Sequence, residues 1–221
     1  MVQANRIRGI IFDLDGTLYV SPAFADTIQD AAAGYIAELR GITPGLANQL
    51  MAAVRSLLAE ETGAVPTLSA ICTRLGGNVR DLHTFFEGCL RPEAFLTRDE
   101  RVIALLERLA HRIPLYLFTN NNRGLTTRII DYLGLNGLFR RIYTIDDTWK
   151  AKPDEEMLDC ILADAELMPA QALFVGDRYD VDLRLPEQRG CPVYLSQSVE
   201  QLLRLEDILG AAGTQQHFFM V

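Results

Sequence analysis

An apolar run that ends in two aspartates and a glycine constrains the fold of this chain more than any other feature. Residues 10–12, Ile-Ile-Phe, are typical of a strand buried on both faces of a parallel sheet. Asp13 and Asp15 follow at its carboxyl end, and Gly16 allows a sharp turn. In an open α/β sheet, ligands bind at that end of the strands. Two carboxylates this close repel each other unless a cation or a shared proton relieves them, so the run predicts a binding edge.

The composition restricts the partners of the chain. Its 221 residues are 49% hydrophobic and carry a formal net charge of -8. This acidic balance argues against nucleic acid and against an anionic membrane surface, although a small anionic substrate is allowed. No apolar run approaches the roughly 20 residues of a membrane span. Residues 1–9 lack the apolar core of a signal peptide.

The cysteines and histidines do not form a metal-binding pattern. The four cysteines are scattered without a CxxC pair, and the three histidines lie far apart, so we expect no zinc site. Free thiols fit a reducing compartment, and we predict a cytoplasmic location. The residues concerned are Cys72, Cys89, Cys160, Cys191, His83, His111 and His217.

The segment after the first predicted strand is helical in character. Residues 20–92 are predicted to form a separate helical domain whose apolar stripes are packing faces. Gly41 offers a stop for a first helix, Thr43 with Pro44 an N-terminus for a second, and Thr67 the start of a third. The apolar spacing that follows predicts a fourth helix.

The rest of the chain alternates between strands and helices, which is typical of a parallel sheet with right-handed crossovers. The predicted fold class is therefore α/β, with a Rossmann-like core of residues 1–19 and 93–221 and the helical domain inserted into it. We expect a loosely held tail after Gly210, on which Phe218 and Phe219 are candidates for docking. The predicted strands are 10–12, 113–118, 141–145, 172–175 and 191–195; the helices are 97–109 (opened by a Thr97–Glu100 capping box), 124–133, 154–166 and 198–209.

Four of the predicted strands are followed by polar residues that one chemistry would need. In a parallel sheet these carboxyl ends share one edge, so acids, amides, a hydroxyl and a lysine are expected to meet there. A hard divalent cation such as Mg²⁺ takes oxygen ligands and would bridge the acids to an anion, most simply a phosphate. The residues are Asp13 and Asp15, Thr119 to Asn122, Lys150 to Pro153, and Gly176-Asp177 with Asp180 and Asp182.

In order and spacing these motifs resemble those of the haloacid dehalogenase superfamily. The resemblance extends over about residues 7–195 and is greatest to the capped phosphatase branch, which includes phosphoglycolate phosphatases and nucleotidases. It implies Mg²⁺-dependent hydrolysis of a small phosphorylated metabolite, with residues 20–92 as the cap. The matching elements are Asp13-Leu14-Asp15-Gly16-Thr17, Thr119-Asn120, Lys152-Pro153 and Gly176-Asp177 with Asp182.

The resemblance also implies the catalytic roles. Asp13 would attack phosphorus and form an aspartyl-phosphate. Asp15 would protonate the leaving alkoxide and then act as the base toward water. Lys152 would neutralise charge on the nucleophile and the phosphoryl group, the kind of electrostatic stabilisation that dominates phosphoryl transfer.

Phosphate and metal ligands are implied in the same way. The Thr119 hydroxyl and the Asn120 backbone amide would hold phosphoryl oxygens, although alone these residues read as N-caps of the next helix. The implied metal set is the Asp13 carboxylate, the Asp15 backbone carbonyl, Asp177 as a direct ligand, and Asp182 through water or Lys152.

Two motif residues have a rival of the same type nearby. Lys150 competes with Lys152, which we prefer because a proline follows it, as in the family motif. Asp180 competes with Asp182, which we prefer because the family places this acid five residues after Asp177.

Several activities could use such a core. Dehalogenases lack an acid at the position of Asp15 because halide leaves without protonation, so Asp15 favours phosphate esters. A phosphonatase would need a cap lysine, and residues 20–95 contain none. A sugar-phosphate mutase stays open as an alternative because residues 22–91 do not decide it. A non-catalytic phosphate-binding protein would have lost a motif residue, and none is missing.

Two arginines depart from the commonest family pattern. Arg123 follows the second motif, and Arg178 stands where a serine is often found after Gly176-Asp177. We expect one of them to lie at the mouth of the crevice and to contact a second anionic group of the substrate. Phosphoglycolate, a nucleoside monophosphate and a sugar phosphate are all compatible with the sequence, as are a monomer and a homodimer.

Overall fold

The computed structural model describes residues 7–211, and a five-stranded parallel sheet forms its centre. The strand order is β3-β2-β1-β4-β5, which confirms the α/β class with a Rossmann-like core. His217, Phe218 and Phe219 lie outside the described residues. The strands are β1 (Gly9–Phe12), β2 (Leu115–Phe118), β3 (Arg141–Tyr143), β4 (Ala172–Gly176) and β5 (Val193–Leu195).

The central strand β1 is completely buried. Ile10 and Phe12 face one hydrophobic cluster and Ile11 faces another, as the two-residue period of a strand requires. Phe12 lies in register with Leu117 of β2 and Val175 of β4. The residues that follow these positions therefore meet at one edge. The chain crosses from one side of β1 to the other before β4, which makes this edge a topological switch point.

Four helices lie within residues 20–92, between β1 and β2, where the sequence predicts them. Helix α1 ends at Gly41, whose φ of 64° is left-handed, and the Thr43 and Thr67 side chains cap the next two helices. Helix α1 packs against the other three. The helices are α1 (Pro22–Arg40), α2 (Pro44–Thr62), α3 (Leu68–Arg74) and α4 (Val79–Cys89).

Helix α2 buries less of its apolar stripe than predicted. Only Ala47 and Met51 are buried, whereas Leu46 is 44% and Leu57 is 43% exposed. Only part of the apolar stripe packs against other helices, because α1 and α3 cover one side of α2.

Helix boundaries differ from the prediction at two places. Helix α5 begins after Asp99, whose carboxylate accepts from the Arg101 backbone N–H at 2.9 Å, so the expected Thr97 capping box does not form. The predicted last helix is interrupted at Arg204. The remaining helices are α5 (Glu100–Ala110), α6 (Arg123–Leu133), α7 (Glu155–Asp164), α8 (Arg184–Gln188), α9 (Val199–Leu203) and α10 (Leu205–Ala211).

Three strands are shorter than predicted, and β5 is one of them because it begins at Val193 instead of residue 191. Pro114 has no N–H to pair, so β2 begins after it. Strand β3 ends at Tyr143 because the Thr144 N–H donates to the Asp147 carboxylate at 2.7 Å instead of to a strand. No helix within residues 7–211 is both long enough and apolar enough to cross a membrane.

Candidate active site

A buried lysine joins the ends of three strands. Lys152 Nζ donates to Asp13 Oδ1 and to Asp182 Oδ1, each at 2.6 Å, and to the Phe118 carbonyl oxygen at 2.9 Å. These bonds use all three donors of the ammonium group. The rival Lys150 pairs instead with Glu156 at the surface. The structure therefore brings Lys152, Asp13 and Asp182 together from distant parts of the chain.

Burial dominates the electrostatics of this cluster. It raises the pKa of Asp13 to about 7, with the Lys152 ammonium acting in the opposite direction. Burial lowers the pKa of Lys152, but the carboxylates of Asp13 and Asp182 outweigh it and raise this pKa overall. Burial, followed by the charge of Asp182, raises the pKa of Asp177 to about 6. The site holds more negative charge than Lys152 alone neutralises, which favours a further cation.

Three carboxylates lie close enough to share a metal ion. One oxygen each from Asp13, Asp177 and Asp182 lies within 4.8 Å of the other two. Asp177 Oδ1 is buried and has no hydrogen-bond partner among the described residues, which leaves it available as a ligand. An all-oxygen donor set of this kind fits Mg²⁺. The rival Asp180 pairs with Arg184 and is partly exposed.

Asp182 reaches the cluster through a local irregularity that the sequence analysis does not predict. A single π-helical turn, Tyr179–Leu183, follows β4. Asp182 Oδ2 accepts from the Arg178 backbone N–H at 3.1 Å, and Oδ1 binds Lys152. Both oxygens of Asp182 are therefore engaged by the protein.

Two glycines permit this close packing of acids. Gly16 has a φ of 87°, and a Cβ there would overlap the Asp177 carboxylate. A Cβ on Gly176 would overlap the Asp182 side chain. Any other residue at Gly16 would also be strained by its positive φ. The DxDGT and GD motifs thus need glycine for the approach of two segments as well as for a turn.

Asp15 is held apart from the carboxylate cluster. Its Oδ1 accepts from the Tyr19 hydroxyl, and its Oδ2 accepts from the Asn121 side-chain amide at 2.7 Å. Burial raises the pKa of Asp15, and the hydrogen bond from Tyr19 acts in the opposite direction. No sequence pattern indicates that Tyr19 or Asn121 binds Asp15. Asp15 is not in the carboxylate group that could hold a metal, and its backbone carbonyl as a ligand stays a prediction.

Thr119 and Asn120 do not cap the helix that follows them. The Asn122 side chain caps α6 by accepting from the Leu125 N–H at 2.8 Å. Thr119 Oγ1 accepts from the Asn121 N–H at 3.1 Å, and Asn120 Oδ1 accepts from the Lys152 N–H at 2.7 Å. Within residues 7–211, neither the Thr119 hydroxyl hydrogen nor the Asn120 backbone N–H has an acceptor. Both donors are available to a ligand.

The two arginines predicted at the crevice mouth differ in position. The Arg123 guanidinium pairs with the Asp147 carboxylate at 3.1 Å and also donates to the Ile142 carbonyl, so it is engaged away from Asp13. Since the prediction named either arginine, it now depends on Arg178. Arg178 is exposed, and its guanidinium has no polar partner in the described part of the chain. Arg178 directly follows Asp177 in the chain, and its charge lowers the pKa of both Asp15 and Asp177.

Helix α4 lies against the loops of this edge. The Asn122 side-chain amide donates to the His83 carbonyl oxygen at 2.9 Å. The Arg80 guanidinium lies 5.1 Å from the centre of the Trp149 ring. His83 itself is buried, and neither of its ring nitrogens has a partner in the described structure. The helical segment α1–α4 is therefore in contact with the loops that follow β2 and β3.

The comparisons with known proteins agree with this arrangement. The chain belongs to the haloacid dehalogenase-like hydrolases, whose family model matches residues 7–187. This membership confirms the predicted resemblance. A phosphoglycolate phosphatase of Yersinia pestis is 28% identical over 203 residues, which cover 87% of this chain and 82% of the relative.

A second relative and a solved structure extend the comparison. A pyrophosphatase of Bacillus velezensis is 27% identical and covers 79% of this chain and 76% of its own length. The crystal structure of a HAD phosphatase from Thermococcus onnurineus matches with a TM-score of 0.61 at 17% identity, over 92% of this chain and 98% of that one. The solved structure shows a shared fold.

Proposed function

We propose that this hydrolase is a Mg²⁺-dependent phosphatase that cleaves a small phosphate monoester through an aspartyl-phosphate on Asp13. The observation that carries the proposal is the buried ion pair of Asp13 with Lys152, beside an unpartnered Asp177 oxygen and a second acid, Asp15. The relatives named as phosphoglycolate phosphatases and a pyrophosphatase support a phosphoryl substrate.

The residues present fit a magnesium ion. Asp13 and Asp177 would hold it directly, with the Asp15 backbone carbonyl as a third ligand and Asp182 acting through water or Lys152. When bound, the ion would reduce the repulsion between the Asp13 carboxylate and an incoming phosphate anion. The orphaned Asp177 Oδ1 supports this assignment, because a buried carboxylate oxygen is normally paired.

The reaction then has two steps. A carboxylate oxygen of Asp13 forms a bond to phosphorus while the bond from phosphorus to the leaving oxygen breaks, and Asp15 gives its proton to that oxygen. In the second step Asp15 takes a proton from water, whose oxygen attacks phosphorus. The bond between phosphorus and Asp13 breaks, which releases inorganic phosphate and restores the enzyme.

Two donors would hold the phosphoryl oxygens during both steps, and Lys152 would add its positive charge beside them. Within residues 7–211 neither the Thr119 hydroxyl hydrogen nor the Asn120 backbone N–H has an acceptor, and the Lys152 ammonium lies beside Asp13. Fixed donors in a buried site stabilise the charge that develops on a transferred phosphoryl group.

The helical segment would serve as a cap domain comprising residues 20–92, on a core of residues 1–19 and 93–221. Its two connections to the core are joined to each other, since Ser21 Oγ donates to the Phe95 carbonyl oxygen at 3.1 Å. Such a cap would exclude water from the site and add contacts to the substrate. We also propose a cytoplasmic location, which fits the four free cysteines. The protein would act as a monomer or a homodimer.

Arg178 supports a substrate with a second anionic group. Its exposed guanidinium lowers the pKa of Asp15 and Asp177, has no polar partner within residues 7–211 and is free to bind a carboxylate or a second phosphoryl group. Phosphoglycolate and pyrophosphate both carry such a group, whereas a simple alkyl phosphate does not.

The proposal is tested by inorganic phosphate release from a panel of phosphate esters with Mg²⁺ present. We expect wild type to be active and Asp13→Asn to be inactive. Asp180→Asn, which changes a surface acid near the fourth motif, is the matched control and should retain activity. Transfer of phosphate between sugar positions without release would instead indicate the mutase alternative. Equal activity, or equal inactivity, of wild type and Asp13→Asn across the panel would contradict the proposal.

A further inference from the structure

The two oxygens of Asp15 are bound by donors of different chemical character. Asn121 Nδ2 donates to Oδ2 at 2.7 Å, and an amide nitrogen can donate hydrogen bonds but cannot accept them. The Tyr19 hydroxyl at Oδ1 can either donate or accept. Asp15 therefore has one side fixed as an acceptor and one side whose hydrogen bond is reversible.

Both donors are built into buried positions that do not depend on a ligand. Tyr19 is 7% and Asn121 is 9% exposed. The Asn121 backbone is held separately, because its N–H donates to Thr119 Oγ1 and its carbonyl accepts from the Ile145 N–H. The Gly16 N–H donates to the Tyr19 carbonyl at 3.0 Å, which fixes the short loop between Asp15 and Tyr19.

We propose that Tyr19 and Asn121 are positioning residues for Asp15, an inference that rests on the proposed function. Asn121 keeps Oδ2 as an acceptor, so the proton that Asp15 transfers lies on Oδ1. While Asp15 is protonated, the Tyr19 hydroxyl accepts a hydrogen bond from Oδ1. Once the proton has left, the Tyr19 hydroxyl donates a hydrogen bond to Oδ1. Both residues then donate to the carboxylate that forms as the leaving oxygen takes the proton.

The effect of the leaving group on kcat/KM distinguishes a role in positioning Asp15 from a role in stabilising the fold. An alkyl phosphate needs a proton on its leaving oxygen, whereas p-nitrophenyl phosphate leaves as a stable anion. The ratio kcat/KM reports the steps up to release of the alcohol, before Asp15 acts as a base. Loss of positioning should therefore lower kcat/KM for the alkyl ester and change it little for p-nitrophenyl phosphate.

The experiment compares Tyr19→Phe and Asn121→Leu with wild type on both esters. We expect kcat/KM for the alkyl ester to fall about tenfold or more, and that for p-nitrophenyl phosphate to fall less than about threefold, since a positioned acid contributes about 10²–10⁴. Tyr35→Phe is the matched control, because Tyr35 is a buried tyrosine whose hydroxyl binds the Asn78 backbone inside α1–α4. Asn121→Ser replaces Asn121→Leu if the latter does not fold.

A second comparison uses the Asp15→Asn background. If Tyr19 acts through Asp15, adding Tyr19→Phe to Asp15→Asn should cause no further loss on the alkyl ester. Equal losses on both esters, no loss on either, or the same pattern in Tyr35→Phe would overturn the inference while leaving the phosphatase intact. An inactive wild type would overturn the proposed function together with the inference.

Discussion

The carboxyl edge of the sheet and the helical segment α1–α4 are stabilised in different ways. At the edge, buried charged and polar groups bind one another, as Asp13, Lys152 and Asp182 do. In the helical segment the described buried residues are apolar except for Ser69 and His83. One region therefore depends on charge pairing, and the other depends on packing.

The two regions should therefore differ in how well they tolerate substitutions. A buried charge is tolerated only with its partners, so the groups at the edge must be kept as a set. Apolar contacts in α1–α4 can be exchanged for others of similar volume. Under the proposed function, the edge would therefore keep the same reaction, and the helical segment would be the part of the molecule that can change to accept another substrate.

The largest effect is expected where the charge pairing is broken. Lys152→Met leaves the carboxylates of Asp13 and Asp182 buried without a counter-charge, and we expect the free energy of unfolding to fall by about 3–5 kcal/mol in urea without metal. Lys150→Met changes an exposed lysine two positions away and should stay within about 0.5 kcal/mol of wild type. Equal effects of the two substitutions would contradict the account of the edge.

Packing in the helical segment gives the next effect. Leu82 in α4 is completely buried, whereas Leu57 in α2 is 43% exposed. Leu82→Ala should lower the free energy of unfolding by about 2–5 kcal/mol, and Leu57→Ala by less than about 1 kcal/mol. Similar losses on urea unfolding would show that α2 is covered in solution by something that the isolated chain does not provide.

His83 is the exception in the helical segment, and its effect should depend on pH. Burial lowers its pKa to about 4, with Asp146 acting in the opposite direction, whereas an unfolded histidine has a pKa of about 6.5. Because the unfolded chain binds the proton more tightly, the stability from neutral His83 is complete above pH 6.5 and is lost as the pH falls toward 4. At pH 5 the loss is about 2 kcal/mol.

The variant His83→Leu should remove this part of the pH dependence. Between pH 7.5 and pH 5, its free energy of unfolding should fall by about 2 kcal/mol less than that of wild type. His111→Gln, which changes an exposed histidine, is the control and should follow wild type. An unchanged slope in His83→Leu would show that His83 is not held neutral by burial.

Local patterns predicted most of the fold. Strands were recognisable as apolar runs, and helix ends were recognisable from residues such as Gly41, Thr43 and Thr67, because caps depend on nearby backbone groups. The Thr97 capping box failed because Asp99 is a competing cap two residues later. The exposure of α2 could not be predicted, since periodicity does not tell how much of a stripe a neighbour covers.

The site was predictable only as a set of motifs. Parallel strands bring their carboxyl ends together, so the approach of Asp13 and Lys152 follows from topology. The π-helical turn that carries Asp182 into the cluster has no such pattern in the sequence. The hydrogen bond from Asn121 to Asp15 joins residues 106 positions apart, and no local sequence pattern predicts that they meet. The role of Tyr19 cannot be predicted, because a tyrosine four residues after an acid is not a recognisable sequence pattern.

The central claim is that Asp13 becomes phosphorylated, and trapping that intermediate tests it most directly. In Asp15→Asn the first step still proceeds with p-nitrophenyl phosphate and Mg²⁺, but the base for the second step is missing, so the intermediate should accumulate. After an acid quench, peptide mass spectrometry should find one phosphoryl group on the peptide that contains Asp13, and none in Asp13→Asn/Asp15→Asn. Release of p-nitrophenol with the phosphoryl group on another residue, or on no residue, would contradict the claim.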